Sequence, residues 1–156
     1  AFLHPGENKK RPFLYTPKPF KAKGEFRIPT EGWGLTYWKD ALLMSNGSEE
    51  LLQIALGAFN VSGVIRVTDG GKPVKKLNEL EIVGNTLYAN IWQTDLIAVI
   101  ELPSGKVLKY LDLSAKGEQI GRNFRDADVL NGIAYDGKNL WVTGKNWPQI
   151  YKLKLP

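Results

Sequence analysis

The residues best suited to chemistry are aromatic and polar side chains at the corners between short apolar runs. Trp33 lies in E-G-W-G, Asn78 in L-N-E-L, Trp92 in I-W-Q-T and Lys145 in T-G-K. Tryptophan rings gathered around one opening would form an aromatic cage, which attracts an amine or packs an apolar side chain. A glycine precedes Lys145 and a tryptophan follows two residues later, a setting that favours a partly desolvated, fixed ammonium group. These corners are therefore the candidate binding positions.

Each candidate also has a structural interpretation. Tryptophan often packs between sheets, and asparagines such as Asn78 and Asn131 often cap turns. A lysine is usually a solvated surface residue. Glu79 and Glu81 fall on one face of a predicted strand, where they flank a channel or accept structural hydrogen bonds. The residues alone leave both interpretations open.

Several chemistries are excluded by composition. The chain has no cysteine and one histidine, His4, so disulfides, thiolate zinc sites and cysteine nucleophiles are absent. A Ser-His-Asp triad would have to be built on His4. Metal-ligand spacing is also lacking, apart from a weak signal at Asp126 and Asp128. We therefore expect no metal site.

Length and charge indicate one globular domain. The 156 residues are 43% hydrophobic and 24% charged, with a net charge of +5. Many positive charges come early, but prolines interrupt them and no nucleic-acid-binding motif accompanies them. Lysines that protect exposed strand edges explain them better than nucleic-acid binding. No apolar run approaches the roughly 18 residues of a membrane span, so we expect no membrane partner.

Short apolar runs closed by Gly, Asn, Asp or Pro predict about thirteen strands and almost no helix. Residues 114–128 lack the strand pattern and are expected to hold a short helix or an ordered loop. The predicted strands are Phe13–Thr16, Gly24–Ile28, Trp33–Trp38, Ala41–Ser45, Leu51–Leu56, Val64–Thr68, Glu79–Val83, Thr86–Trp92, Leu96–Glu101, Val107–Asp112, Gly132–Tyr135, Leu140–Thr143 and Ile150–Leu155.

A repeat organises these strands. Leu42, Leu87 and Leu140 occupy equivalent positions, 45 and then 53 residues apart. A period near 45 with about four strands per unit is typical of a β-propeller blade, although a sandwich with coincidental spacing is the alternative. We therefore predict an all-β partial propeller with roughly three blades. Its predicted parts are the end of an earlier blade (1–30), one blade (31–75), a blade with an insertion at 114–128 (76–130), and a final blade lacking its closing strand (131–156).

Propellers close with about four to eight blades, so thirteen strands leave an open wedge. We expect either the C-terminal part of a longer protein or a partner that supplies the missing sector.

The corner motifs resemble those of a known family. The segments EGWGLT (31–36), KLNELE (76–81), ANIWQTDLIAVI (89–100), DVLNGIAYD (128–136) and VTGKNWPQIYKLKL (142–155) resemble the plant- and bacterial-type glutaminyl-peptide cyclotransferases, or glutaminyl cyclases. The resemblance runs from about Phe13 to Leu155. It implies a five-bladed β-propeller that converts an N-terminal glutamine into pyroglutamate with loss of ammonia and without an organic cofactor. It also implies a secreted, vacuolar or periplasmic setting.

The resemblance also implies roles for four residues. Trp33 and Trp92 would wall the pocket for the N-terminal glutamine. Asn78 and Lys145 would hydrogen-bond the side-chain amide and its tetrahedral intermediate, and so count as both catalytic and substrate-binding. The implied partners are peptides or proteins that begin with glutamine.

One family motif is missing. The family's general acid/base is a glutamate in an F-G-E-G motif on an earlier blade, and this motif does not occur here. Glu31 belongs to a different motif, so we do not expect it to replace that glutamate. We therefore expect little or no turnover from this chain alone, and a possible partner is a complementing N-terminal segment of the same protein. The alternative function is a non-catalytic propeller module that binds peptide or glycan at a Trp-lined mouth.

Overall fold

Residues 2–5, 12–17 and 19–154 are described by a computed structural model, in which sixteen strands and one helix are found. The strands are β1 (Phe2–Pro5), β2 (Pro12–Pro17), β3 (Phe20–Glu25), β4 (Leu35–Trp38), β5 (Ala41–Met44), β6 (Glu50–Ala55), β7 (Val61–Arg66), β8 (Thr68–Asp69), β9 (Lys72–Pro73), β10 (Leu77–Val83), β11 (Thr86–Ile91), β12 (Leu96–Glu101), β13 (Val107–Asp112), β14 (Leu130–Tyr135), β15 (Leu140–Gly144) and β16 (Tyr151–Leu153). Helix α1 (Ser114–Asn123) lies between β13 and β14. This ten-residue helix is too short and too polar to cross a bilayer.

The strands form antiparallel sheets in chain order. These sheets are β1-β2-β3, β4-β5-β6-β7, β10-β11-β12-β13 and β14-β15-β16, with β8 and β9 as a separate ribbon. Tight turns join neighbouring strands; Val83 pairs with Thr86 across a two-residue turn, for example. Gly84 in that turn has a φ of +63°, which glycine adopts at little steric cost.

Three of these sheets, β4–β7, β10–β13 and β14–β16, pack face to face through two apolar clusters. One cluster joins β4–β7 to β10–β13, and its fully buried members include Leu43, Leu51, Leu77, Leu87 and Ile100. The other joins β10–β13 to β14–β16 and includes Ile97, Leu130, Leu140 and Val142. Strand β12 contributes alternate residues to both clusters, which explains why its sequence LIAVI is apolar throughout. Burial on both faces fixes the central sheet between its neighbours.

The predicted all-β fold is confirmed, with sheets stacked as expected for the blades of a propeller. The repeat residues Leu42, Leu87 and Leu140 lie in β5, β11 and β15, each the second strand of its sheet. Strand β10 contacts both β4 and β14, so the first strands of three sheets are neighbours. The domain boundaries at 30, 75 and 130 stay predictions.

Several details differ from the prediction, and one is that strand β1 (Phe2–Pro5) was not predicted. The strand expected at Gly24–Ile28 is instead β3, because the hairpin pairs Pro17 with Phe20 and the strand begins directly after that turn. Ile28 is buried in a third apolar cluster without belonging to a strand. The ribbon of β8 and β9 was not predicted; Gly70 and Gly71, both at positive φ, form its turn. The last strand ends earlier than expected, at Leu153, and Leu155 lies outside the described residues.

Candidate active site

The predicted site residues lie at one edge of the stacked sheets. Because the first and second strands of a sheet are antiparallel, the first strand starts at the edge where the second ends. Trp33 precedes β4, Asn78 is the second residue of β10, Trp92 directly follows β11 and Lys145 directly follows β15. We call this edge, defined by these four residues, the pocket edge.

A β-bulge at Asn78 and Glu79 shapes the start of β10. Leu77 pairs with Ile91 and Leu80 pairs with Ala89, so β10 has one residue more than β11 over this stretch. Leu77 and Leu80 both enter the core shared with the β4–β7 sheet. A bulge re-aims side chains and is common next to active sites. Here the bulge lets Asn78 face the β14–β16 sheet, on the side of β10 opposite to the β4–β7 sheet.

The main chain and side chain of Asn78 are both held. The Ser45 hydroxyl donates to the Asn78 carbonyl oxygen at 2.6 Å and accepts from the Gly34 N–H at 2.8 Å. A Cβ on Gly34 would overlap that carbonyl oxygen, so this approach requires glycine. The Asn78 Nδ2 donates to Asn131 Oδ1 at 3.3 Å, from one sheet to the next. The Asn78 carboxamide is thus buried and oriented.

Trp33 and Trp92 touch each other at the pocket edge. Their ring centroids are 5.3 Å apart and their planes make an angle of 74°, an edge-to-face arrangement that aromatic quadrupoles favour. Gly47 lies against the ring of Trp33, since a Cβ there would come within 2.6 Å of Cη2. The Gly47 N–H donates to the carbonyl of Leu77, the residue before Asn78. Backbone contacts therefore connect the two half-buried indoles to the bulge.

Lys145 lies in a fixed turn. Its N–H donates to Val129 and its carbonyl accepts from Asp128, at 2.9 and 2.8 Å. The Trp147 indole N–H also donates to the carbonyl of Asp128, at 2.7 Å. Among the described residues, no hydrogen bond, ion pair or ring contact joins the exposed Lys145 side chain to Asn78 or to the two indoles. The structure thus joins Trp33, Asn78 and Trp92 through contacts, and it places the backbone of Lys145 beside β14, the strand that carries Asn131.

Two carboxyl groups follow Asn78 along β10. Burial raises the pKa of Glu79, and the nearby charge of Glu81 raises it further. Burial also raises the pKa of Glu81, which a hydrogen bond from the Tyr135 N–H, at 3.0 Å, partly opposes. Glu81 thereby anchors β14, one of the two roles considered for it. Glu79 accepts no hydrogen bond within the described part of the chain.

Sequence reasoning missed several residues that support the site. Asn90 is fully buried, and its Oδ1 accepts from the Gly132 N–H at 3.2 Å. Ser45 and Asn90 each come directly after the apolar run of a second strand, in neighbouring sheets. A polar residue at the same place in both repeats is the feature of the sequence that could have identified them. Asn131 is a corner candidate in the sequence with turn capping as its alternative role, and the structure adds its contact with Asn78.

Backbone strain is concentrated beside the site residues. Lys76, Gln93 and Asn146 have φ values of 63°, 64° and 58°, and they adjoin Leu77-Asn78, Trp92 and Lys145. Non-glycine residues in this region are uncommon, and such strain often marks functional sites.

Other candidates have structural roles or are not supported. Trp147 packs edge-to-face on Tyr151, in addition to its hydrogen bond to Asp128. In the described ranges, no group of three or more His, Asp or Glu side chains is arranged to hold a metal ion. Asp126 and Asp128 therefore form no such group.

Comparisons with known proteins agree with this architecture. A family model described as glutamine cyclotransferase matches residues 8–155. A glutaminyl-peptide cyclotransferase of Arabidopsis thaliana is 38% identical over 141 residues, which cover 88% of this chain and 42% of the relative. The chain thus spans less than half of that relative's length.

Two solved structures are also similar to this chain. The crystal structure of Myxococcus xanthus glutaminyl cyclase, a β-propeller, matches with a TM-score of 0.85 and 31% identity, over 92% of this chain and 63% of that one. A virginiamycin B lyase from Staphylococcus aureus matches with a TM-score of 0.59 and 17% identity, over 95% of this chain and 46% of that one, and shows the fold alone. Because the family model matches nearly the whole sequence, this chain belongs to the glutamine cyclotransferase family.

Proposed function

We propose that this chain forms the glutamine-binding part of a glutaminyl-peptide cyclotransferase, which cyclises an N-terminal glutamine to pyroglutamate and releases ammonia. The observation that carries the proposal is that the edge-to-face pair of Trp33 and Trp92 lies at the same edge of the sheets as the oriented carboxamide of Asn78. Family membership and the similarity to glutaminyl cyclases support it.

The reaction needs a curled substrate. The α-amine nitrogen attacks the carbon of the γ-carboxamide and forms the lactam C–N bond. The bond to the amide nitrogen then breaks, and that nitrogen leaves as ammonia with the proton that the attacking amine lost. Neither water nor a net proton is consumed. Holding the amine and the carboxamide in contact removes much of the entropic barrier. The two indoles offer an apolar surface to the methylene groups that link the amine to the carboxamide.

Asn78 and Lys145 are the proposed donors to the developing oxyanion. One Nδ2 hydrogen of Asn78 bonds Asn131, which leaves the other, together with Oδ1, for the substrate amide. The Lys145 ammonium adds a positive charge from a rigid turn. Loss of one preorganised donor of this kind typically raises the barrier by about 2.7–4 kcal/mol.

The departing ammonia requires a general acid. By resemblance, that acid is the F-G-E-G glutamate, and this sequence lacks the motif. We therefore propose that the acid comes from outside this chain, which by itself binds substrate and turns it over slowly or not at all.

An upstream segment of the same protein is the proposed source, and the open side of the β14–β16 sheet supports a further blade there. Ala134 pairs with Trp141 on the face turned away from β10–β13, and Ile150 beside them is 66% exposed. A sheet packed on this face would cover these side chains as the other blades cover theirs.

The proposal is tested by binding and turnover together. Isothermal titration with the amide of Gln-Ala-Ala-Ala should show binding, and the N-acetylated peptide, which lacks the free amine, should bind more weakly. Ammonia release should appear when a family member's segment carrying F-G-E-G is supplied in trans. Lys145→Gln should reduce that release at least tenfold, whereas Lys109→Gln, on the outer strand β13, should not.

Two outcomes would contradict the proposal. If glutamine peptides do not bind, the proposed binding pocket is wrong. Binding that never leads to ammonia release, even after complementation, would identify the chain as a non-catalytic binding module.

A further inference from the structure

The backbone of Lys76 is hydrogen-bonded to Trp92 and to Gly47, the residue that packs against the ring of Trp33. Its N–H donates to the Gly47 carbonyl, and its own carbonyl accepts from the Trp92 N–H, both at 2.8 Å. Gly47 is the residue against which the ring of Trp33 packs. Lys76 holds this position at a φ of +63°, which is costly for a residue with a side chain. The backbone of Lys76 is therefore fixed relative to both rings.

The Lys76 side chain extends over the ring of Trp92. Its Nζ lies 5.8 Å from the centroid of the Trp92 ring and donates to Gln93 Oε1 at 3.0 Å. Cation–π attraction and this hydrogen bond reduce the freedom of a side chain that is otherwise flexible. An ammonium group has three N–H donors, so two remain for a ligand. The residue is exposed, and a ligand can approach it from solvent.

The charge of Lys76 is not neutralised by the described residues. No ion pair joins Lys76 to a carboxylate in the described ranges, where the ion pairs include Arg66 with Glu50 and Arg122 with Glu118. Lys72 and Lys75 add two further positive charges within the preceding four residues. The segment that ends beside Trp92 therefore carries three lysines, at positions 72, 75 and 76.

We infer that the Lys76 ammonium is a subsite for a carboxylate on the residue that follows the N-terminal glutamine. This inference rests on the proposed function, because the peptide chain must leave the indole pair past its rim. An acidic side chain at the second position accepts from the two free N–H groups while glutamine occupies the pocket. For an exposed ion pair, the expected preference is about two- to fivefold in affinity.

The test compares the amides of Gln-Glu-Ala-Ala, Gln-Ala-Ala-Ala and Gln-Lys-Ala-Ala by titration calorimetry at low salt. We expect affinity to fall in that order, and the spread to shrink as salt screens the pair. Lys76→Gln should give equal affinities for the glutamate and alanine peptides, and Lys76→Arg should restore the preference. Lys75→Gln, the matched control on the neighbouring exposed lysine, should keep it.

The two proposals fail in different ways. If the alanine peptide does not bind at all, the proposed function is wrong. If it binds but the glutamate peptide binds no better, or if the preference survives Lys76→Gln, the carboxylate subsite is wrong.

Discussion

The carboxamides of Asn78 and Asn131 meet across the seam between two sheets, where Asn78 Nδ2 donates to Asn131 Oδ1 at 3.3 Å. Both asparagines lie at irregular register steps at the start of the first strand of their sheets, in β10 and β14. The contact joins residues 53 positions apart and fixes which way the Asn78 amide faces. Asn131 is therefore a positioning residue for Asn78.

Asn131→Leu should weaken binding of glutamine peptides at least fivefold, because the buried Asn78 Nδ2 loses its acceptor. An unpaired buried donor also costs about 1–3 kcal/mol of the free energy of unfolding. Asn131→Asp keeps an oxygen in the same place and should recover most of the affinity. Titration calorimetry and urea unfolding measure the two effects. Equal affinities for the leucine variant and the wild type would show that Asn131 does not position Asn78.

Trp92→Ala should abolish most of the binding of Gln-Ala-Ala-Ala amide, with a loss of tenfold or more. The substitution removes one wall of the indole pair and the ring beneath Lys76. Trp141→Ala is the matched control, because that indole lies on the outer face of the last sheet and donates to Asp136. Circular dichroism would establish that both variants fold. Comparable losses in the two variants would mean that the indole pair is not the binding wall.

Ser45→Ala should lower the free energy of unfolding by about 1–3 kcal/mol. The fully buried hydroxyl accepts from Gly34 and donates to the Asn78 carbonyl, and alanine leaves both groups unpaired. Ser62→Ala is the control, because that exposed hydroxyl makes one long hydrogen bond of 3.4 Å. Urea denaturation of both variants gives the difference. A Ser45 variant as stable as the Ser62 variant would contradict this account of the bulge.

Glu79→Gln should stabilise the protein at pH 7 and leave it less sensitive to pH. The pKa of Glu79 is raised in the folded chain, chiefly by burial and then by Glu81, so the folded state holds this proton more tightly than the unfolded state. The contribution of Glu79 to the free energy of unfolding is therefore complete below its ordinary pKa, about 4.3. It is lost as the pH rises from there through the higher pKa of the folded state. Glutamine carries no charge, so the Glu79→Gln variant does not lose stability in this way as the pH rises.

Unfolding free energies of wild type and Glu79→Gln, measured from pH 4 to pH 7, test the sign. The difference in favour of the variant should grow with pH. A constant difference across this range would show that ionisation of Glu79 does not oppose folding.

Much of the architecture follows from local sequence. Short apolar runs closed by turn residues predict the strands, and the equivalent leucines at 42, 87 and 140 predict the repeated sheets. Apolar runs such as LIAVI show where a sheet is covered on both faces. These features depend on neighbouring residues, and a sequence displays them directly. The tryptophan, asparagine and lysine corners were also recognisable, because each interrupts an apolar run.

Only the tertiary structure decided how those corners work together. The bulge at Asn78, the amide contact to Asn131 and the support from Ser45 depend on the packing of separate sheets, and no local propensity encodes that register. Likewise, Lys76 resembles any surface lysine until the fold brings Gly47 and Trp92 to its two sides. Strand identity is a property of short segments, whereas a site between sheets arises from contacts among residues that are distant along the chain.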